Sequence, residues 1–256
     1  MSFQARRSLT CTPRESVWTL GRHGAGDEEV EQQKAIANAA SKTSTLQHFV
    51  LSSLPAASKV SSGKYSVPHY DYKEKARDWM KSNTPELVAK TTRIWPGWYG
   101  NNLINFPVCK FLKIPGGMTG YVYAHPARRD SILPVVGEIA ASTGAVVRAV
   151  LRKGDAMHGK VVPIVTEYIP IDQLANVFTK VTGKPCAYAE MTDAGAEAAW
   201  GEILGGEMAC QLRWSEDYPD WHVFEPENTV TLEELGVVSE CPKLEAYMKT
   251  IADQIV

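Results

Sequence analysis

Between Asp27 and Ile94 the sequence alternates helical and extended patterns, and this order restricts the fold more than any other feature. Asp27 suits a helix cap. Glu28 and Glu29 suit the positive end of the helix dipole, and Val30, Ile36, Ala37 and Ala40 form an apolar stripe at helical spacing. His48-Phe49-Val50-Leu51 then reads as a buried strand ending at Ser52-Ser53. A second helix is expected from Tyr70 to Ser82, and after Pro85 the run Leu87 to Ile94 reads as another strand. Helix, strand, helix, strand requires right-handed crossovers between parallel strands, so the expected fold class is α/β. Such sheets place ligands beyond the carboxyl ends of their strands. That directs attention to Ser52 and to the loop from Pro55 to Pro68, which is long for a βα connection.

Beyond Pro96 the elements shorten. Trp95 to Asn102 reads as an aromatic, asparagine-rich turn, with Asn101 or Asn102 capping a helix toward about Lys113 that Pro107 ends or kinks. Tyr121 to Ala124, Ile132 to Val136 and Cys186 to Glu190 read as strands. Val161 to Val165 reads as an edge strand, because it contains Pro163. A helix carries Val146, Val147, Val150 and Leu151, and another runs from Asp172 to Thr182, closed by Gly183. Thr192 to Trp214 is a broken helical stretch, Thr231 to Glu234 has capping-box spacing, and Pro242 opens a final helix to Val256.

The 256 residues, 44% of them hydrophobic and 22% charged, fit one large domain or a domain with an attached lobe. A formal net charge of -2 argues against general attraction to nucleic acid or to an anionic membrane. No run approaches the roughly 18 apolar residues of a membrane span. Cys11, Cys109, Cys186, Cys210 and Cys241 are scattered, without a CxxC spacing, which fits free thiols in a reduced cytoplasmic setting. No metal site is expected, since His48, His69, His125, His158 and His222 show no ligand pairing.

Residues 1–26 read as an irregular leader. Arg6, Arg7 and Arg14, with no acid before Glu15, give the composition of a transit peptide, and a disordered leader is the plainer reading. Val17 to Leu20 reads as a short strand, followed by Gly21, Gly24 and Gly26. Strand, glycine turn and helix is the context of a phosphate-cradling loop. The G-x-x-G-x-G spacing matches it weakly, and His23 and Asp27 sit poorly beside a pyrophosphate, so a flexible turn is the expectation.

Lys73 is the first candidate for chemistry. On the first turn of the expected helix, it could reach a ribose hydroxyl or phosphate, or act as acid or base if burial lowers its pKa. The plainer reading makes Lys73, Lys75 and Arg77 a solvated helical face. His69, four positions earlier, shares a side of that helix and has the chemistry of a proton shuttle. Ser52 ends a strand as a substrate-directed hydroxyl would. In Tyr99-Gly100-Asn101-Asn102 the tyrosine suits a flat ring and the asparagine amides suit a carboxamide edge; a helix cap beside a packed aromatic explains them equally well.

The segments EEVEQQKAIANAA, QHFVLSSLP, GKYSVPHYDYKEKARDWM, YGNNL, ILPVV, STGAVVRAVL and GKVVPI resemble the NmrA-like family, atypical members of the short-chain dehydrogenase/reductase superfamily. The resemblance covers residues 27–256. It implies a Rossmann-like parallel sheet, about 27–115 with part of the adjoining segment, and a smaller C-terminal α/β lobe, mainly 116–256, with the substrate between them. It also implies NADP or NAD as cofactor, held by Lys73, with Tyr99, Gly100, Asn101 and Asn102 near the nicotinamide; Ser52, at its strand end, is a further cofactor-binding candidate. In isoflavone-reductase-like cousins a lysine at a similar position is the acid-base, which makes Lys73 and His69 the catalytic candidates. Orthodox members have tyrosine where this chain has His69, which argues against ordinary alcohol-ketone chemistry. Two departures stand out. No glycine-rich loop with its flanking βα units is recognisable before Asp27, so an N-terminally truncated Rossmann domain is expected, and Ser142 stands where the family often has aspartate.

The resemblance implies an NAD(P)-dependent oxidoreductase acting on a small molecule in a fungal specialised biosynthetic pathway. Two alternatives accompany it. One is a non-catalytic NADP-sensing co-regulator that binds a protein partner, in the nucleus; the other is a truncated product that binds no dinucleotide.

Overall fold

The computed structural model describes residues 8–11 and 25–256. In chain order the elements are β1 (Ser8–Cys11), α1 (Ala25–Ser41), β2 (His48–Ser52), α2 (Ala57–Val60), α3 (Pro68–Asn83), α4 (Pro85–Ala89), β3 (Thr91–Pro96), β4 (Trp98–Tyr99), α5 (Asn102–Asn105), β5 (Leu112–Lys113) and β6 (Tyr121–His125). Then come β7 (Ile132–Val136), α6 (Ile139–Lys153), β8 (Val161–Ile164), β9 (Glu167–Pro170), α7 (Gln173–Thr182), β10 (Cys186–Glu190), α8 (Asp193–Trp200), α9 (Glu202–Asp217), α10 (Leu232–Leu235) and α11 (Leu244–Thr250).

These residues form two compact units. One takes the chain through Pro96, Gly144–Pro163 and His222–Val237, and the other takes Gly97–Thr143, Ile164–Trp221 and Val238–Val256. The two units therefore interleave along the chain. The cause is visible in the first unit, whose sheet draws strand β8 and its cover from later in the chain.

The sheet of the first unit has the order β1-β2-β3-β8. β1 runs parallel to β2, with Ser8 opposite His48, and β2 runs parallel to β3, with Ser52 opposite Ile94. β3 is buried along its length and β2 from His48 through Leu51, as parallel strands covered on both faces should be. β8 lies at the sheet edge, where Pro163 costs no ladder bond. Val161 N–H donates to the Asn228 carbonyl at 2.9 Å, and the Val161 carbonyl accepts from Val230 N–H at 2.9 Å, which covers that edge. Ala37, Leu46, Phe49, Leu51, Met80 and Leu87 form the core beneath the helices. Each large side chain so buried contributes about 1.5–3 kcal/mol.

Three readings change here. Ser8–Cys11, expected within an irregular leader, forms β1; four residues are too few for a periodic signal, and pairing with β2 supplies the order. Val17–Leu20, Gly21 and Gly24 lie outside the described residues. Gly26 belongs to α1, and a Cβ on it would fall 1.9 Å from the Tyr72 ring, so its bareness serves the approach of α1 to α3. Leu87–Ala89, read as strand, is helical. Pro85 sets the first helical φ, and Leu87 packs inward before the strand begins at Thr91. The Pro55–Pro68 loop contains α2, and the Asp71 carboxylate ties it to α3 by accepting from Ser58 N–H at 2.9 Å and Val67 N–H at 3.0 Å.

The second unit has two sheets, ordered β10-β6-β5 and β4-β7-β9. β10 is parallel to β6 and β5 antiparallel to it; β7 is parallel to β4 and antiparallel to β9. The core is aromatic, with Phe111 and Phe178 rings 4.2 Å apart and Tyr121 and Phe178 rings 4.9 Å apart. Gly183 closes α7 at φ 70°, and Gly201 at φ 87° separates α8 from α9. The helix expected from Asn102 to Lys113 stops at Asn105, two residues before Pro107, and Leu112–Lys113 is a strand instead. The final helix begins at Leu244, because Pro242 lies outside it and Lys243 is its N-cap.

Candidate functional site

Ser52, His69 and Lys73 belong to the first unit, and Tyr99, Gly100, Asn101 and Asn102 to the second. Ser52 is half-buried at the carboxyl end of β2. The adjoining Ser53 N–H donates to the Ile94 carbonyl at 2.9 Å, so the chain keeps to the sheet one residue past the strand.

Lys73 lies on the second turn of α3, since the helix begins at Pro68 rather than Tyr70. Its Nζ donates to Glu29 Oε1 of α1 at 2.6 Å, with the Lys73 side chain 13% exposed and that of Glu29 1%. Gln33 Nε2 donates to the same oxygen at 3.1 Å. Glu29 Oε2 and Gln33 Oε1 are left as buried acceptors without donors. Lys73 is thus not part of a solvated face; it anchors α1 to α3. His69 is buried on the same helix, its ring edge-on to Tyr70 at 4.7 Å.

Around Asn101 the backbone is closely packed. A Cβ on Gly100 would lie 2.1 Å from the Gly137 carbonyl oxygen, and one on Gly137 would lie 2.4 Å from that of Pro242. Gly100 N–H donates to the Val136 carbonyl at 2.9 Å. Glycine at 100 therefore serves the approach of two backbones. Asn101 is the N-cap residue of α5 yet makes no side-chain cap bond, and its Oδ1 is buried without a partner. Asn102 opens the helix, half-buried. Burial pushes the Tyr99 hydroxyl pKa up, which keeps it protonated.

Sequence reading missed two arrangements. Arg93, buried in β3, forms two bonds with the Glu225 carboxylate, at 2.8 and 2.5 Å, and lies 5.3 Å from the Trp95 ring centroid. Burial alone would raise the Glu225 pKa, but the Arg93 guanidinium holds it below the usual range. His125 ends β6 with both ring nitrogens buried and unpartnered, 4.5 Å from the Tyr123 ring and 5.5 Å from that of Trp200. Burial pushes its pKa down to about 3, so it is neutral. Alternation along Tyr121, Tyr123 and His125 was the available signal for its inward face.

His48 and His158, far apart in sequence, meet edge-on at 4.7 Å. Among the described residues no group of three His, Cys, Asp or Glu side chains is placed to hold a metal ion. Cys109, Cys186, Cys210 and Cys241 are free thiols, and burial pushes that of Cys109 up to about 12, against a weaker opposing bond from Trp98. Ser142 is fully buried in α6. Among the described residues no helix is long and apolar enough to cross a membrane.

Comparison with known proteins places this chain in a family. An NmrA-like family domain-containing protein of Dictyostelium discoideum is 24% identical over 233 residues, 89% of this chain and 72% of that protein. The NmrA-like family domain-containing oxidoreductase FrzB of Cladobotryum sp is 28% identical over 185 residues, 67% of this chain; the match spans about half of that protein, 52%. The crystal structure of NmrA, a negative transcriptional regulator, in complex with NADP superposes with a TM-score of 0.67 at 18% identity, covering 91% of this chain and 72% of that one. The profile of the NmrA-like family matches residues 16–248, and the chain belongs to that family.

Proposed function

We propose that the chain is an NAD(P)-dependent oxidoreductase acting on a small molecule, in the cytoplasm. The observation that carries this reading is the family match along residues 16–248, and the relative named an oxidoreductase supports it. The fungal specialised pathway rests on the sequence resemblance alone. When bound, the dinucleotide would supply or accept a hydride. The residues suit its nicotinamide end: the orphaned Asn101 Oδ1 would be satisfied by a carboxamide N–H, beside the Tyr99 ring. Lys73 would hold a ribose hydroxyl, or act as acid-base with His69, only after Nζ leaves Glu29.

That ion pair favours a second reading, a non-catalytic NAD(P) sensor that binds a protein partner in the nucleus. A lysine whose Nζ is held by a buried carboxylate serves as a structural anchor. The solved NmrA with NADP, named a negative transcriptional regulator, supports it.

Titration with NADPH, followed by tryptophan fluorescence, tests both. Saturable binding below millimolar is expected, weakened about tenfold in Asn101→Ala. The unfolding midpoint of that variant should not move, because the amide oxygen loses no partner. Absence of saturation at millimolar NADPH and NADH would sink both readings and leave a chain that binds no dinucleotide. Given binding, NADPH oxidation across a carbonyl and quinone panel, lost in Lys73→Arg, selects the enzyme. Binding without turnover selects the sensor.

A further inference from the structure

Among the described residues the sheet β10-β6-β5 ends at β5, with no strand beyond it. Leu112 and Lys113 pair with Val122 and Tyr121, and Ile114 N–H donates to the Gly120 carbonyl at 2.9 Å. In an antiparallel ladder hydrogen-bonded residues alternate, so Leu112 faces β6 and the N–H and C=O of Lys113 face away from it. Beside this edge lies a groove of about 560 Å³ lined by Lys113, Ile114, Pro115, Met118, Tyr121 and Lys184. Met118 in the groove and Leu112 on the adjoining strand are each 57% exposed.

The charge around the groove is one-sided. No aspartate or glutamate occurs between Glu86 and Asp130, nor between Asp172 and Glu190, the two stretches that build it, although the whole chain has 29 acids. Among the described residues neither Lys113 nor Lys184 has a carboxylate partner; the Lys184 ammonium instead sits 5.8 Å from the Tyr121 ring centroid.

We propose that this edge docks an extended acidic segment of another protein. The segment adds to β5 as a further strand, its main chain bonding to that of Lys113, its carboxylates meeting Lys113 and Lys184, and an intervening apolar side chain covering Ile114, Pro115 and Met118. Strand addition takes affinity from the main chain and specificity from alternate side chains, which suits an edge that offers both. A nucleic acid would meet the lysines but has no use for the outward amide, and the net charge of -2 opposes it.

The test uses three fluorescein-labelled probes and the full chain: a seven-residue peptide alternating glutamate with valine, its lysine-for-glutamate counterpart, and a single-stranded oligothymidylate. Anisotropy should show the acidic peptide binding in preference to the other two. The double variant Lys113→Gln/Lys184→Gln should weaken it about tenfold. Lys113→Pro, tolerated at an edge strand, should abolish binding by removing the outward N–H. Amide chemical-shift changes should gather at residues 110–122 and 184, with unchanged circular dichroism certifying the fold of each variant. Equal binding of the two peptides, equal binding of the oligonucleotide, or indifference to either substitution overturns the proposal.

Discussion

In the first unit Glu29 is buried against Lys73 and Arg93 against Glu225, whereas in the second His125 is buried with neither ring nitrogen bonded, among Tyr123 and Trp200. The first unit thus depends on charges that meet across distant segments. The second depends on aromatic packing that keeps a titratable ring neutral. A buried ion pair adds little over an apolar pair of the same shape, yet losing one member is costly. A buried neutral histidine carries no ionisation penalty at high pH and loses stability as acid favours its charged form.

The largest effect is expected in the aromatic core. Phe178→Ala removes the ring between Phe111 and Tyr121 and should cost about 3–5 kcal/mol in urea unfolding. A loss under about 1 kcal/mol would show that the second unit does not rest on that cluster. Next comes Lys73→Ala, at about 3 kcal/mol, because it strands the Glu29 carboxylate. Glu29→Leu/Lys73→Met should recover most of that loss; a double variant as unstable as the single one would break the contrast between the units.

The smallest effect, read at pH 5, is the pH dependence from His125. Its pKa falls from the ordinary 6.5 in the unfolded chain to about 3 when folded. The unfolded state alone therefore binds the proton between those values. Stability is unaffected above pH 6.5 and declines as pH drops toward 3, by about 1.4 kcal/mol per unit, or about 2 kcal/mol at pH 5. In His125→Phe the part of the slope below pH 6.5 due to this residue should vanish. An unchanged slope would place the sensitivity elsewhere.

Much of the fold was legible where the signal is local. The acidic start of α1, the apolar run of β2, Pro163 on an edge strand and Gly183 at a helix end each act within a few residues. The Thr231–Glu234 capping box is present, with both reciprocal bonds formed. Leu87-Val88 misled because a short apolar run has no period of its own, and Pro85 decided for helix. β1 escaped notice because its order comes from β2 rather than from its own four residues. The site was less legible. Lys73 was singled out as a candidate for chemistry, but the partner it has in the structure lies 44 positions earlier, on another helix. The alternation of β6 records the inward face of His125, but its unpartnered ring nitrogens and the want of a donor for Asn101 are properties of packing, which no spacing records.

The Arg93–Glu225 pair has a consequence for synthesis. The two residues are 132 positions apart, so at ribosomal speeds the arginine waits on the order of ten seconds for its carboxylate. During that interval β3 cannot be buried without stranding a guanidinium, and the edge of β8 has no segment 228–230 to cover it. The first unit is thus a late-closing assembly, though most of it is made first. Chains released before residue 225 are expected to expose this sheet to chaperones, while those released after residue 237 contain every described segment of the first unit.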